Sequence, residues 1–418
     1  MNRWRRAFLI SLVTTTIAFA ANGSIRAPSP ENAWHAAWTF PVVLLAAFVI
    51  AWAAETAQFL MSQGMALAIL ALLQTLPEFS VEAVLSWQAA HDHTRIPLVC
   101  ANVTGSLRLL VGVGMPMVFF VQVFFKKKEE AHLRWADIRL EPQQAVEVFF
   151  LLPPLLYFFW IWWKGTLTLV DGTVLLGIYG LYLLMLYRLP PEDDDKDEEL
   201  GYIPRKILSH GKAGRWVGVS LLFVVGGGML FVAIEPFVRS MEALAVILTV
   251  PTAIFIQWVS PFLSEFPEKV SAFYWARTVK RAPMGLMNIV SSNVNQWTLL
   301  VAMIPVVYAL GKGWVFIPLV FDQTQRSEIL LTIVQSLLSF FLLANMRFSW
   351  YEAIGLFVLF VVQFAFPSIR VQITYAYIAW IFLEILFVLV GRETLPALDI
   401  FAGMYRKLVR GEPITFAP

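Results

Sequence analysis

The sequence predicts an all-α polytopic membrane protein. It has two inverted five-helix repeats, an N-terminal hydrophobic segment before them and one extra C-terminal transmembrane helix after them. Three observations predict this fold. The 418 residues are 59% hydrophobic and only 14% charged, with mean hydropathy +0.69. The apolar residues fall in blocks of roughly 18 to 25, the length that spans a bilayer. A Pro-Glu dipeptide inside an apolar helix occurs twice, at Pro77-Glu78 and Pro267-Glu268.

About twelve apolar segments follow one another, near 7–21, 40–61, 64–90, 97–125, 143–163, 167–187, 216–238, 242–276, 284–310, 327–344, 350–366 and 371–390. The first is preceded by Arg3, Arg5 and Arg6 and ends in alanines, so it reads either as a signal peptide or as a span. The resulting organisation is 1–39, signal peptide or first transmembrane helix plus an outside loop; 40–187, the first five-helix repeat; 188–215, an acidic cytoplasmic linker; 216–366, the second repeat; and 367–418, a C-terminal transmembrane helix and cytoplasmic tail. Cation distribution supports the count. Lys126, Lys127, Lys128, Arg134 and Arg139 fall in one inside loop. Arg188, Lys196, Arg205, Lys206, Lys212 and Arg215 fall in the linker, and Arg392, Arg406, Lys407 and Arg410 in the tail. Loops on the other side hold single cations. This alternation places both termini in the cytoplasm if the first segment is retained, and the signal-like N-terminus and compact form suggest a bacterial plasma membrane, with an organelle as the alternative.

Five helices are an odd number, so the second group crosses the membrane in the opposite sense to the first. Transporters recurrently use this plan, with the site at the midplane between repeats. The pairing has residue-level support. Glu55 closes the first helix of one group and Glu235 does so in the other. Pro77-Glu78 matches Pro267-Glu268 on the second helix. Asn102 and Ser106 match Asn288 and Ser292 on the third, with equal spacing.

A carboxylate at a helix centre in the bilayer costs about 2.5–3.5 kcal/mol, so several together must face a polar cavity or bind cations. Glu78 and Glu82 are four apart and share one helical face, and Glu265 and Glu268 are three apart and do the same. Proline loosens the local hydrogen-bond ladder and frees carbonyls as further ligands. Carboxylates, carbonyls, hydroxyls (Ser264 among them) and amides are hard oxygen donors suited to Ca²⁺, Na⁺ or H⁺. The same acids can carry protons, because low dielectric and like charge disfavour ionisation. Competition between a metal cation and protons for one site is the chemical basis of antiport. The partners implied are inorganic cations and the lipid bilayer. No cofactor and no nucleic acid are implied, and oligomeric state is open.

The motifs resemble those of the Ca²⁺/cation antiporter superfamily, the membrane region of sodium/calcium exchangers, of which this chain looks like a divergent member. That family repeats Gly-Thr-Ser-Leu-Pro-Glu and Gly-Asn-x-x-Gly-Ser-Asn in each half. Here the first motif reads Gln74-Thr75-Leu76-Pro77-Glu78, then Ser264-Glu265-Phe266-Pro267-Glu268. The second reads Ala101-Asn102-Val103-Thr104-Gly105-Ser106-Leu107, then Met287-Asn288-Ile289-Val290-Ser291-Ser292-Asn293. The resemblance implies that Glu78 and Glu268 are the central cation ligands. It also implies that Thr75, Asn102, Ser106, Asn288, Ser292 and Asn293 line the site.

Departures from the pattern are specific. The leading glycines are missing, Leu107 replaces an amide, and Glu265 replaces a hydroxyl. Arg108 and Lys269 lie beside the motifs as candidate charge modulators. Arg108 acts as a fixed countercharge, marks a relative that has lost Ca²⁺ transport, or pairs with Glu78 or Glu82 to hold helices together. Other polar features read more plainly. His91-Asp92-His93 reads as a solvated loop rather than a metal clip, and the acidic run 192–199 as a solvated connector. Gly226-Gly227-Gly228 reads as close helix packing. Glu384 reads as a partner for a neighbouring helix. The lone Cys100 excludes an internal disulfide and reads as packing.

Three functions compete. The leading one is secondary antiport of a cation, Ca²⁺ among the candidates, against Na⁺ or H⁺. The second is a transport-silent member with a structural or sensing role. The third is a membrane-embedded lipid enzyme, disfavoured because no span holds a His-Glu-x-x-His or an Asp-rich diphosphate motif.

Overall fold

The computed structural model describes residues 38–57, 60, 75–125, 137–189, 202–277 and 281–410. The expected first segment, the acidic run 192–199 and the loop cations Lys126 to Arg134 lie outside the described residues. Within them the chain is helical apart from four two-residue strands. Seven helical stretches are long and apolar enough to cross a bilayer, and three shorter ones are strongly apolar.

The first half holds α1 (Thr39–Ala57), α2 (Leu76–His91), α3 (Ile96–Leu109), α4 (Met115–Phe125), α5 (Ala145–Lys164) and α6 (Leu169–Arg188). A short helix, α7 (Tyr202–Leu208), lies in the linker. The second half holds α8 (Lys212–Ile247), α9 (Thr252–Ser264), α10 (Phe266–Ala276), α11 (Ala282–Asn295), α12 (Val301–Gly311), α13 (Gln323–Ala344) and α14 (Trp350–Ala365). Two more helices follow, α15 (Arg370–Leu389) and α16 (Pro396–Val409).

The halves match in their irregularities. A single π turn joins α3 to α4 at Leu110–Gly114, and another joins α11 to α12 at Gln296–Leu300. Each begins eight residues after the motif asparagine, Asn102 or Asn288. Glu141 and Gln144 form a capping box before α5, and Asp322 and Gln325 form one before α13. Thr168 with Asp171 caps α6 as Ser349 with Glu352 caps α14. Reciprocal caps satisfy the orphan N–H groups of a helix start, so each marks where a helix must begin.

The strands show that the repeats are inverted. β1 (Ile138–Arg139) precedes α5, and β4 (Arg347–Phe348) follows α13, and the two pair antiparallel. β2 (Thr166–Leu167) follows α5, β3 (Leu319–Val320) precedes α13, and these pair as well. The loop before the fourth helix of one half therefore meets the loop after the fourth helix of the other, at both ends. Only oppositely oriented halves can do this.

Packing follows the same symmetry. α1 lies along α8, α3 contacts α13 as α11 contacts α5, and α2 contacts α12 as α10 contacts α4. Apolar side chains such as Trp163, Phe231 and Phe382 point outward, as a lipid-facing surface requires. α15, outside both repeats, packs on α13. α16, foreseen only as tail, lays Phe401 on Phe149 of α5 with ring centroids 3.6 Å apart.

Two boundaries differ from expectation. α8 continues to Ile247 instead of ending near 238, so Glu235 lies within the helix, where it pairs with Arg239 at 2.6 Å, instead of closing it. Its 36 residues span about 54 Å, more than the roughly 30 Å hydrocarbon core, so its polar end projects beyond the apolar layer. The next span begins at Thr252, not 242, because Thr249 takes a positive φ of 54° and Pro251 caps the new helix. Gly226 does pack closely, its notional Cβ meeting Ile50 at 2.7 Å, whereas Gly227 and Gly228 meet nothing within 4 Å. Glu384 bonds within its own helix, to Trp380 Nε1 at 2.8 Å, instead of to a neighbour.

Gly105 sits where α3 crosses α9, and a Cβ there would lie 1.8 Å from the Gln257 carbonyl oxygen. Gly105→Ala is expected to cost at least about 1–3 kcal/mol by forcing the two backbones apart. Gly177→Ala, which meets nothing within 4 Å, is expected to leave stability unchanged or slightly raised. Thermal unfolding of the two purified variants in detergent checks this contrast.

Candidate functional site

Both Pro-Glu dipeptides open a helix instead of bending one. Thr75 is the N-cap residue of α2 and Glu265 that of α10, and each proline falls in the first turn. A proline there costs nothing, because its missing N–H would be unpaired anyway. Glu78 and Glu268 consequently sit in first turns, where the positive end of the helix dipole favours a carboxylate.

Four glutamates are buried at these breaks: Glu78, Glu82, Glu265 and Glu268. Third helices supply the donors. Asn102 Nδ2 reaches Glu82 Oε2 at 2.8 Å and Glu78 Oε1 at 3.3 Å. Ser292 Oγ donates to Glu268 Oε2 at 2.5 Å, and Asn288 Nδ2 donates to the Glu268 carbonyl at 3.3 Å.

Other bonds cross between halves. The Ser264 hydroxyl sits between Glu78 Oε2 and the Ser260 carbonyl, 3.0 Å from the latter. The Ser106 hydroxyl contacts Glu265 Oε1 and lies 2.7 Å from Gln296 Oε1. Gln296 Nε2 donates to Glu265 Oε1 at 2.7 Å, and Lys269 pairs with Glu265 Oε2 one turn along the helix. Asn293 Nδ2 reaches the Leu107 carbonyl at 3.5 Å. Glu78 has Glu265, Glu82 and Glu268 as its charged neighbours.

The structure thus brings together Glu78, Glu82, Asn102, Ser106, Ser264, Glu265, Glu268, Asn288, Ser292, Asn293 and Lys269, with Thr75 buried at the start of α2. It does not place Arg108 among them. Asn102 and Ser106 are one turn apart and face the carboxylates, and Arg108, two residues past Ser106, points to the other side. Its partner is Glu328 at 2.6 Å, so the expected pairing with Glu78 or Glu82 is not formed.

Sequence reasoning missed Gln296, which opens the second π turn and contacts Ser106 and Glu265. Its signal was a glutamine in an apolar span, three residues after Asn293. It missed Glu328 as well, which lies one turn inside α13, beyond the motifs.

Among the described residues, no three His, Cys, Asp or Glu side chains gather as a metal cluster. The carboxylates are bonded to hydroxyls and amides, and Glu265 to Lys269 as well, so any cation held here must also use the hydroxyl and amide oxygens. Asn102 Oδ1 and Asn293 Oδ1 are buried acceptors without a hydrogen-bond partner. His91-Asp92-His93 forms a turn, with Asp92 accepting from Thr94 N at 3.0 Å. The Thr94 hydroxyl and amide hold the Asp92 carboxyl below its usual range.

Inverted repeats with buried acids where helices begin are a recurrent plan of multi-pass membrane transporters. The family described as sodium/calcium exchanger protein matches this chain twice, over residues 33–188 and 218–368. The chain belongs to that family, within the Ca²⁺/cation antiporter superfamily, and is a cation antiporter that works without a cofactor. It is similar to a crystal structure of an H⁺/Ca²⁺ exchanger, CAX, at 28% identity and TM-score 0.86, covering 98% of this chain and 99% of that one. It also shares the fold of native YfkE, at 15% identity and TM-score 0.56, covering 88% and 98%. No curated protein sequence matches it.

The Glu265–Lys269 pair is buried on both sides. Lys269→Met leaves Glu265 without its partner and is expected to cost about 3–5 kcal/mol. The double variant Glu265→Gln/Lys269→Met is expected to recover most of that loss. A thermal-unfolding cycle over the wild type, the two single variants and the double variant measures the coupling.

Proposed function

We propose that this protein exchanges Ca²⁺ for protons at a site between the two halves. Glu78 and Glu268 bind directly, and Glu82, Thr75, Asn102, Ser106, Ser264, Asn288, Ser292 and Asn293 supply further oxygens or hold the carboxylates. The observation that carries this reading is that Glu78, Glu82 and Glu268, buried near two helix starts, are bonded to neutral hydroxyls and amides that a cation or a proton can replace.

Charge balance allows two protons as the counter-ions, as it would two Na⁺, and the buried Lys269 ammonium separates the two cases. Glu265 is neutralised by Lys269, which leaves Glu78, Glu82 and Glu268 to be balanced. One Ca²⁺ compensates two of these charges, and so do two protons, so exchanging them keeps the cavity's net charge constant. A buried cavity resists any change in net charge, because little solvent is there to screen it. The Lys269 ammonium occupies cationic space that additional Na⁺ ions would need. The likeness to an H⁺/Ca²⁺ exchanger over nearly the full chain supports the same choice.

A second reading, a transport-silent member, draws on the same bonding: every carboxylate has an internal donor without any ion. One experiment decides between them. Protein in proteoliposomes is expected to take up Ca²⁺ against an imposed pH gradient and not against an Na⁺ gradient. Glu78→Gln and Glu268→Gln are each expected to cut uptake by about tenfold or more, the size of one lost charge-assisted ligand. Uptake driven by Na⁺ alone would replace H⁺ by Na⁺. No uptake under either gradient, with folded protein, would favour the silent reading.

A further inference from the structure

The last helix, α16, lies outside both repeats and has no part in the exchange derived above. One side of it packs on the protein. Ala397, Phe401 and Met404 recur every three or four residues and are buried, and the helix contacts α5 and α13. The Phe401 ring stacks on Phe149 and meets Phe150 edge-on at 5.8 Å. A second stripe, Ala402, Tyr405 and Val409, is uncovered, with Tyr405 54% and Val409 69% exposed. At about 100° per residue, this stripe lies directly beside the buried one, and Arg406 and Arg410 run along its outer edge. The helix therefore carries a wide apolar arc. Protein covers one half of it, and the uncovered half has a basic border.

The depth of α16 follows from what it touches. Phe149 is four residues into α5, about 6 Å along the axis from the helix start. α5 belongs to a stretch long and apolar enough to cross a bilayer, so this point lies at the edge of the apolar layer. Trp350 and Tyr351, the first two residues of α14, are about half exposed beside β4, where it pairs with β1 just before α5. Exposed Trp and Tyr side chains sit at the headgroup level of a membrane. Arg347 of β4 pairs with Glu393, which ties the turn between α15 and α16 to the same rim. A helix at that level, apolar along one arc and basic beside it, has the features of an interfacial helix.

The two arginines are available to a partner. Among the described residues neither forms an ion pair, and Arg406 Nε donates to the Ala402 carbonyl of its own helix at 3.2 Å. Asp399, the one acid of α16, is in the first turn, seven residues before Arg406 and about 10 Å away along the axis.

We propose that this face of α16 docks on anionic lipid headgroups. The lipid phosphate meets Arg406 and Arg410, and the acyl chains cover Ala402, Tyr405 and Val409. Arginine suits this role because its planar fork matches phosphate oxygens. The acidic run 192–199 of the linker is the competing occupant, but it holds no apolar residue that could cover Tyr405 and Val409. Docking of this kind is independent of which ion is exchanged.

A bimane fluorophore on Gly403→Cys, in a Cys100→Ala background, reports on this face in the full-length protein. A notional Cβ on Gly403 meets nothing within 4 Å, and helical spacing puts the residue beside both arginines. The protein is placed in phosphatidylcholine vesicles that contain increasing amounts of nitroxide-labelled phosphatidylglycerol or phosphatidylcholine. Half-quenching is expected at a mole fraction of phosphatidylglycerol at least about fivefold lower than that of phosphatidylcholine, the ratio that about 1 kcal/mol per cation near an anionic surface gives. Molar salt is expected to shrink the ratio. Arg406→Gln/Arg410→Gln is expected to bring it to about one, and Arg406→Lys/Arg410→Lys, which keeps both charges, to preserve most of it. Equal quenching by the two lipids at low salt would overturn the proposal, and so would a preference that survives Arg406→Gln/Arg410→Gln. A preference that emerges only when 192–199 is replaced by a Gly-Ser segment would overturn it too, by giving the arginines to the acidic run.

Discussion

The fold depends on carboxylates of one half being satisfied by donors of the other. Glu78, from the first half, meets Ser264 from the second, and Glu265, from the second, meets Ser106 from the first. Each acid would cost about 2.5–3.5 kcal/mol if left bare at the bilayer centre. Glu78 and Glu265 thus take donors from both halves, so association of the halves completes the site. The apolar surface that surrounds them offers no comparable preference, because lipid tails are as apolar as the side chains they touch.

Duplication supplies this interface twice, and the second copy has drifted. The same helix break is capped by Thr75 in one half and by Glu265 in the other. A hydroxyl needs no counterion inside the membrane, but a carboxylate does, and Lys269 provides it one turn away. Gln296 then fills the remaining valence of Glu265 from the π turn. Glu265 is thus met by two residues of its own half, Lys269 and Gln296, and the cavity is not symmetric in charge.

Much of this was legible from residues alone. Apolar blocks gave the helices long enough to cross a bilayer, and Pro-Glu and Asn-x-x-x-Ser spacing gave the paired helices that carry the buried acids and their donors. What could not be read was direction around a helix where two polar residues lie close together. Arg108 follows Ser106 by two positions, and proximity in sequence suggested a shared cavity, whereas helical geometry turns the guanidinium to the opposite side. Glu328, its actual partner, is 220 residues away and carries no motif. The end of α8 was misplaced for a related reason. Glu235 looked like a helix end and Arg239 like a loop cation, but the two pair one turn apart within one long helix.

The two strand pairs carry a consequence for motion. β1 with β4 fastens the halves at one membrane face, and β2 with β3 does so at the other, with Leu140 N to Met346 O and Phe321 N to Gly165 O, each at 2.9 Å, extending the clasps. All four strands flank the fourth helices, α5 and α13. Backbone bonds at both rims hold that pair like a hinged frame with both latches shut. Parting the halves as rigid shells would unlatch one rim at a time. Freedom to expose the acids alternately therefore belongs to the helices that no strand ties down, above all the broken ones on which those acids sit.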